Sequence, residues 1–234
     1  MGDFVARGYS KQNFVSAPEL VADHESGGEP LFAGLTRRHA YITSKRVFDI
    51  VVSILCLPLF LGLCCVLIVL NPFWNPGELF YLQRRMGKDR KGFIMLKFRS
   101  MTRENNIKRG ADDPLETSRI TPLGRWLRRS KADELPQILN VLLGEMSLIG
   151  PRPEVFSFAQ TYRSVIPDYS IRESVRPGMT GYAQVKQGYT DTIEMARRKA
   201  DLDAFYVRNM GWRLDLYVLA GTIAILYAPC KTRQ

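Results

Sequence analysis

Hydrophobic positions follow several unlike patterns along this chain. Ile50 to Leu70 is an uncharged run of 21 residues. As a straight helix it would be roughly 31 Å long, close to the ~30 Å hydrocarbon core of a bilayer. Further on, Leu79–Leu82 and Phe93–Phe98 are short apolar segments flanking a basic turn with Gly87 and Gly92, which predicts two strands. Pro122 to Arg129 predicts a short basic amphipathic helix carrying an interfacial Trp126. Leu135, Ile138, Leu139 and Leu142 recur at helical spacing over Glu134–Leu143, and Gly144 is placed to end that helix. A charged helix is predicted over Thr192–Asn209, with Ile193, Ala196, Ala200, Leu202 and Phe205 on its inner face. Leu214 to Ala228 is apolar apart from Asp215 but short for a membrane span, so it is expected against the membrane or the core. Residues 1–40 show no sustained period and read as a loosely ordered N-terminal extension. No internal repeat is present.

A single spanning helix is the plain reading of the long apolar run, and two features oppose it. Pro58 lies inside the run and breaks or kinks a helix there. Basic residues flank both ends: Arg37, Arg38, Lys45 and Arg46 before it, then Arg84, Arg85, Lys88, Arg90 and Lys91 after it. A spanning helix would put one basic flank outside, against the positive-inside tendency. A re-entrant helix that turns near Pro58 keeps both flanks cytoplasmic, and Ser53 is placed to answer a backbone group freed by the bend.

Composition narrows the partners. The chain has 234 residues, a net charge of +10 and a pI near 9.6, which calls for an anionic partner: nucleic acid, an acidic membrane or a phosphorylated substrate. Aromatic residues do not interleave with Lys and Arg as in a nucleic-acid surface, so no nucleic acid is expected. Cys56, Cys64, Cys65 and Cys230 lack metal or disulfide spacing and read as reduced, packed hydrophobes in a cytoplasmic setting. The first 30 residues lack the apolar core of a cleavable signal peptide.

The sharpest candidate for chemistry is Lys131-Ala-Asp-Glu-Leu-Pro-Gln137. Pro136 fits only a first helical turn, which puts Asp133 near the N-cap and Glu134 at the helix entrance. Carboxylates there are usually plain caps. Two adjacent ones stay ionised together only with a cation nearby: Lys131, Arg128-Arg129 or a bound Mg²⁺. Downstream, Ile149-Gly-Pro-Arg-Pro-Glu154 and Val175-Arg-Pro-Gly-Met-Thr-Gly181 each hold one arginine, Arg152 and Arg176, in a proline-stiffened turn. Two preorganised guanidinium forks suit a pyrophosphate.

Taken in order, five blocks carry a resemblance to the monotopic phosphoglycosyl transferases, or bacterial sugar transferases, across about Ser44 to Leu226. They are Lys45-Arg-Val-Phe-Asp49; Leu96-Lys-Phe-Arg-Ser-Met101; Asp133-Glu134 followed by Asn140-Val-Leu-Leu-Gly-Glu-Met-Ser-Leu-Ile-Gly-Pro-Arg-Pro153; Arg176-Pro-Gly-Met-Thr-Gly-Tyr-Ala-Gln-Val185; and Leu202-Asp-Ala-Phe-Tyr-Val207. The resemblance implies an α+β fold: a mostly helical small domain with short strands, one re-entrant membrane helix broken at Pro58, and interfacial amphipathic helices. It divides the chain into an extension (1–40), a membrane helix (41–75) and an interfacial catalytic domain (76–234).

By match of motif, the resemblance implies Asp133 as nucleophile and Mg²⁺ ligand with Glu134 as its partner, Arg152 and Arg176 on phosphate oxygens, and Lys97 and Arg99 lining the same basic site. The implied reaction moves a hexose-1-phosphate, galactose or glucose, from a UDP-sugar to undecaprenyl phosphate with release of UMP, at the cytoplasmic face of a bacterial inner membrane in exopolysaccharide synthesis. Membrane lipid is an implied partner, and a homo-oligomer stays open. Two departures from the family pattern stand out: Leu57 where Ser often precedes the helix-breaking proline, and Met86 where Pro is common. The rival from another class is a non-enzymatic, membrane-anchored binding protein with a basic surface, which leaves the Asp-Glu pair and both Arg-Pro turns unaccounted for. A polytopic-type transferase without a covalent step would need more than one membrane segment.

Overall fold

A computed structural model of the chain describes residues 31–102, 116–187 and 193–227. Residues 1–30, Cys230 and the expected helix ends Thr192 and Ala228 lie outside the described residues. The chain divides between Arg38 and His39 into two units, and every contact described below lies within the second.

The first element, α1 (Leu31–Trp74), is 44 residues long and starts inside the stretch read as extension. Helical backbone continues on both sides of Pro58, and Pro72 also lies within the helix. Ser53 does not answer a group freed by Pro58: its hydroxyl is buried without a hydrogen-bond partner.

Both halves of α1 pack on the same domain. In the first half, Arg46 donates to the carbonyls of Val141 (2.6 Å) and Leu142 (3.0 Å). Asp49 accepts from the Leu148 N–H at 3.1 Å. In the second half, Phe60 and Leu67 are buried with Phe98, Leu127 and Ile138, and the Phe60 and Phe98 rings stack 5.9 Å apart. Asn75, just past the end, donates to the Arg99 carbonyl at 2.8 Å. The opposite face is bare: Val51, Ile54, Leu55, Leu59, Leu61, Val66, Ile68 and Val69 are all exposed. By length and composition α1 can cross a membrane, yet only 17% of its most apolar stretch is buried. An apolar face that wide in contact with water would be costly, at about 25 cal/mol per Å².

Strands β1 (Phe80–Met86) and β2 (Gly92–Phe98) form an antiparallel hairpin in register from Phe80↔Phe98 to Met86↔Gly92. The first strand runs further than its apolar start suggested, because cross-strand pairing carries it through Arg84 and Arg85. The connecting turn uses positive φ at Asp89 and Arg90.

Helix α2 (Pro122–Ser130) begins at Thr121, whose hydroxyl accepts from the Gly124 N–H at 2.9 Å. Leu127 faces the core while Arg125, Trp126 and Arg129 are exposed, as its amphipathic pattern predicts. Lys131 then takes a left-handed conformation (φ 59) and redirects the chain. The helix expected from Glu134 divides in two. Ala132–Glu134 is a 3₁₀ turn, and α3 proper is Gln137–Leu142, with Pro136 at its N-cap. Gly144 ends it at φ 84, as its position implied.

A parallel pair, β3 (Ser147–Ile149) with β4 (Gly178–Thr180), stands behind α3. A Cβ on Gly178 would sit 2.1 Å from the Gly150 nitrogen, so that approach needs glycine. Between these strands run the Pro151-Arg152-Pro153 turn, α4 (Phe156–Val165) and a 3₁₀ segment (Tyr169–Ser174). Helices α5 (Tyr182–Gln187), α6 (Ile193–Arg208) and α7 (Trp212–Tyr227) complete the described chain. It is mostly helical with short strands, in keeping with the α+β expectation.

Candidate active site

The 3₁₀ turn between α2 and α3 brings two carboxylates into unlike surroundings. Glu134 is fully engaged. Its oxygens accept from Lys97 Nζ at 3.0 Å and from Arg152 Nη1 at 3.1 Å, and Arg152 Nη2 closes a second bond of the fork. Lys97 comes from β2 and Arg152 from the proline turn after β3, so three separate elements meet at this one side chain. Burial alone would raise the Glu134 carboxyl, but Arg152 and Lys97 hold it well below its ordinary value. Burial pushes the Lys97 ammonium down, with Glu134 opposing. The Arg152 guanidinium is held up by Glu134 against its own burial.

Asp133 differs. It is 8% exposed, and among the described residues no hydrogen bond or ion pair engages its carboxylate. Burial and the neighbouring Glu134 charge raise its carboxyl, while Lys97, Lys131 and Arg128 pull it down. Asp133 therefore has lone pairs directed at no donor among the described residues, with Lys97, Lys131 and Arg128 supplying positive charge around it. That state suits attack on an electrophile or a metal ion.

Behind this pair, a buried charge network holds the Pro-Arg-Pro turn. Arg172 donates to the Arg152 carbonyl at 2.6 Å and to the Tyr169 hydroxyl at 2.7 Å, and pairs with Asp203 at 2.9 Å. Lys199 pairs with Glu154, and Arg85 donates to the Pro153 carbonyl at 2.9 Å. In the sequence Arg85 stood out only as part of a basic flank and Glu154 only as the end of the proline turn, while nothing marked Arg172 or Lys199. Asp203 lay within one of the family-like blocks, which was the one available signal for it.

Of the four residues expected to form a basic, phosphate-holding site, Lys97 and Arg152 meet Glu134. Arg99 instead closes the end of α1, donating to the Asn75 carbonyl at 2.8 Å with its guanidinium packed on Gly77. Arg176 donates through Nε to the Gly144 carbonyl at 2.8 Å, at the C-terminal end of α3.

A magnesium ion fits this donor set in one form. Among the described residues no group of three or more metal-binding side chains exists, and Glu134 is committed to its cations. Asp133 is the carboxylate with open oxygens. Mg²⁺ commonly binds through one or two carboxylates, with water and substrate phosphates completing the octahedron.

One member of the carboxylate pair is thus clamped and the other open, with Lys97, Arg152, Lys131 and Arg128 supplying positive charge around them. The family model for bacterial sugar transferases matches residues 40–228, and the chain belongs to that family. It is 40% identical over 184 residues to the UDP-N-acetylgalactosamine-undecaprenyl-phosphate N-acetylgalactosaminephosphotransferase of Aeromonas hydrophila, covering 78% of this chain and 43% of that protein. With the UDP-glucose:undecaprenyl-phosphate glucose-1-phosphate transferase of Klebsiella pneumoniae it shares 38% identity over 181 residues, 76% of this chain and 39% of that one. The exopolysaccharide production protein PSS of Rhizobium leguminosarum bv. phaseoli is 39% identical over 188 residues, 76% of this chain and 92% of that protein. The chain thus spans about two fifths of the first two relatives and nearly all of the third.

Proposed function

We propose that this chain transfers a sugar-1-phosphate from a UDP-sugar to undecaprenyl phosphate through a covalent intermediate on Asp133. The carrying observation is the division of labour in the pair: Glu134 is held by Arg152 and Lys97, and Asp133 is left open. In the first step an Asp133 oxygen attacks the β-phosphorus. The bond from that phosphorus to the bridging oxygen breaks, and UMP leaves with the bridging oxygen. In the second, an oxygen of the polyprenol phosphate attacks the same phosphorus, the bond to Asp133 breaks, and the carboxylate returns. No water is consumed, so a site that excludes water protects the intermediate. Lys97 and Arg152, preorganised before substrate arrives, offset the negative charge gathering around the phosphoryl group. Mg²⁺, held by Asp133, would add charge compensation on the phosphate oxygens.

The membrane part of the reading is a helix confined to one leaflet. A spanning helix would carry its middle away from a domain on one side of the bilayer. Contacts from Tyr41 to Asn75 with one domain support the monotopic alternative. Together with basic flanks at both ends, this favours the cytoplasmic face of the inner membrane. Relatives named for glucose transfer favour glucose over galactose as the sugar, with the N-acetylgalactosamine relative marking a third option.

The test is UMP release by detergent-solubilised protein given undecaprenyl phosphate, Mg²⁺ and each UDP-sugar in turn. Release with one donor, abolished in Asp133→Asn, is expected. Near-normal turnover in that variant would sink the covalent step. No release by the unmodified protein with any donor would favour the membrane-anchored binding protein. Single cysteines placed before Lys45 and after Arg84 should label alike from the cytoplasmic side, and outside labelling of just one would sink the monotopic reading.

A further inference from the structure

Asn140 is wholly buried in α3, six residues after Glu134. Its side-chain amide makes three bonds. Oδ1 accepts from the Leu96 N–H at 3.1 Å. Nδ2 donates to the Ile94 carbonyl at 2.7 Å and to Glu145 at 2.7 Å. Ile94 and Leu96 lie two apart on β2, so these two backbone groups point to one edge of the strand. The amide therefore meets β2 as one residue of a neighbouring strand would, on α3's side of the hairpin. Lys97, next along β2, is the residue whose ammonium reaches Glu134.

We infer that Asn140 is a positioning residue that locks the register of β2 against α3 and so places Lys97 on Glu134. The inference rests on the proposed role of that carboxylate pair. Its chemistry is specific to an amide: one acceptor faces an N–H, and one NH₂ faces two oxygens. Aspartate has the same shape but would turn an oxygen towards the Ile94 carbonyl and the Glu145 carboxylate. Two part-buried acceptors would then face a third without a proton between them, and β2 would have to move or admit water. Changing Glu145 to glutamine restores a donor on one of those contacts.

The experiment compares Asn140→Asp, Glu145→Gln and Asn140→Asp/Glu145→Gln with the unmodified protein in two readouts. The first is acetylation of Lys97 by acetic anhydride, followed by mass spectrometry. Lys199 is the internal reference, being similarly covered in its own ion pair with Glu154. Loss of the lock opens β2 locally, so Lys97 should react about fivefold faster or more in Asn140→Asp, with Lys199 unchanged. The double variant should return towards the original rate, and Glu145→Gln alone should match it. The second readout is UMP release per folded molecule, where kcat should fall about tenfold or more and the donor KM change less than about threefold. An unchanged Lys97 rate, an equal rise at Lys199, or a double variant no better than the single one would overturn the inference. If the unmodified protein releases no UMP while the acetylation pattern holds, the proposed function fails and the positioning role stands.

Discussion

Asp133 and Asp215 are both buried acidic residues near the start of a helical segment, and the fold treats them in opposite ways. Asp215 opens α7 and is 1% exposed. It accepts from the hydroxyls of Tyr41 (2.8 Å) and Tyr206 (2.7 Å) and from Lys45 Nζ (2.7 Å). Three elements are pinned by that one side chain, and no oxygen is left for a substrate. Asp133 is nearly as buried, yet the cations around it act through space and none bonds to it. Burial of a carboxylate therefore says little by itself about role. What separates an anchor from a reactive group is whether protein donors already fill its lone pairs.

The sharpest way to break this comparison is to exchange each carboxylate for its amide. Asp133→Asn should lower UMP release about a thousandfold or more, since no second carboxylate is free to replace the nucleophile. Arg152→Met should come next, at about a hundredfold, through loss of preorganised charge. Arg152→Lys should recover little of it, because a lysine cannot reproduce the fork on Glu134. Asp215→Asn should behave in the opposite manner. Unpairing Lys45 in that buried cluster should cost about 2–3 kcal/mol in chemical denaturation, while turnover per folded molecule stays near normal. A large loss of turnover per folded molecule in Asp215→Asn would erase the distinction.

The smallest expected effect concerns stability at Asp133. Its carboxyl is held above the ordinary value, mainly by burial and then by Glu134. The folded state thus binds that proton more tightly than the unfolded one. The resulting stability is present at low pH and is lost as pH rises through the folded value. At neutral pH the ionised group is a cost, so Asp133→Asn should be more stable by about 1 kcal/mol, or about 2–4 °C in melting temperature. The gain should shrink as the buffer is made acidic. Glu134 has the reverse sign: Arg152 and Lys97 hold it low, and its contribution is full above an unfolded value of about 4.3 and lost below it.

Much of the architecture was legible because the relevant interactions are local. Thr121-Pro122 starts α2 through a cap and a preset φ, and Gly144 ends α3 through a left-handed turn. Neither needs a distant partner. The candidate pair was legible for the same reason, since Asp133-Glu134 beside Pro136 is a short-range signature. What stayed hidden was pairing across distance. Lys97 and Arg99 are two apart and would share a face if β2 continued. The strand ends at Phe98, and Arg99 turns to the end of α1 while Lys97 reaches Glu134. Arg152 and Arg176 sit in similar proline turns, yet one meets a carboxylate and the other a helix carbonyl.

The sequence by itself determined the β1–β2 hairpin, the amphipathic α2, the charged α6, the long apolar run, the basic surroundings and the position of the acidic pair. These depend on periodicity, caps and charge within a few residues of one another. Only the tertiary structure decided that Glu134 is clamped and Asp133 open, that Arg172 and Asp203 stand behind the Arg152 turn, and that both halves of α1 rest on one domain. Each of those facts is a contact between groups far apart in the chain, fixed by how helices and strands pack rather than by any local preference.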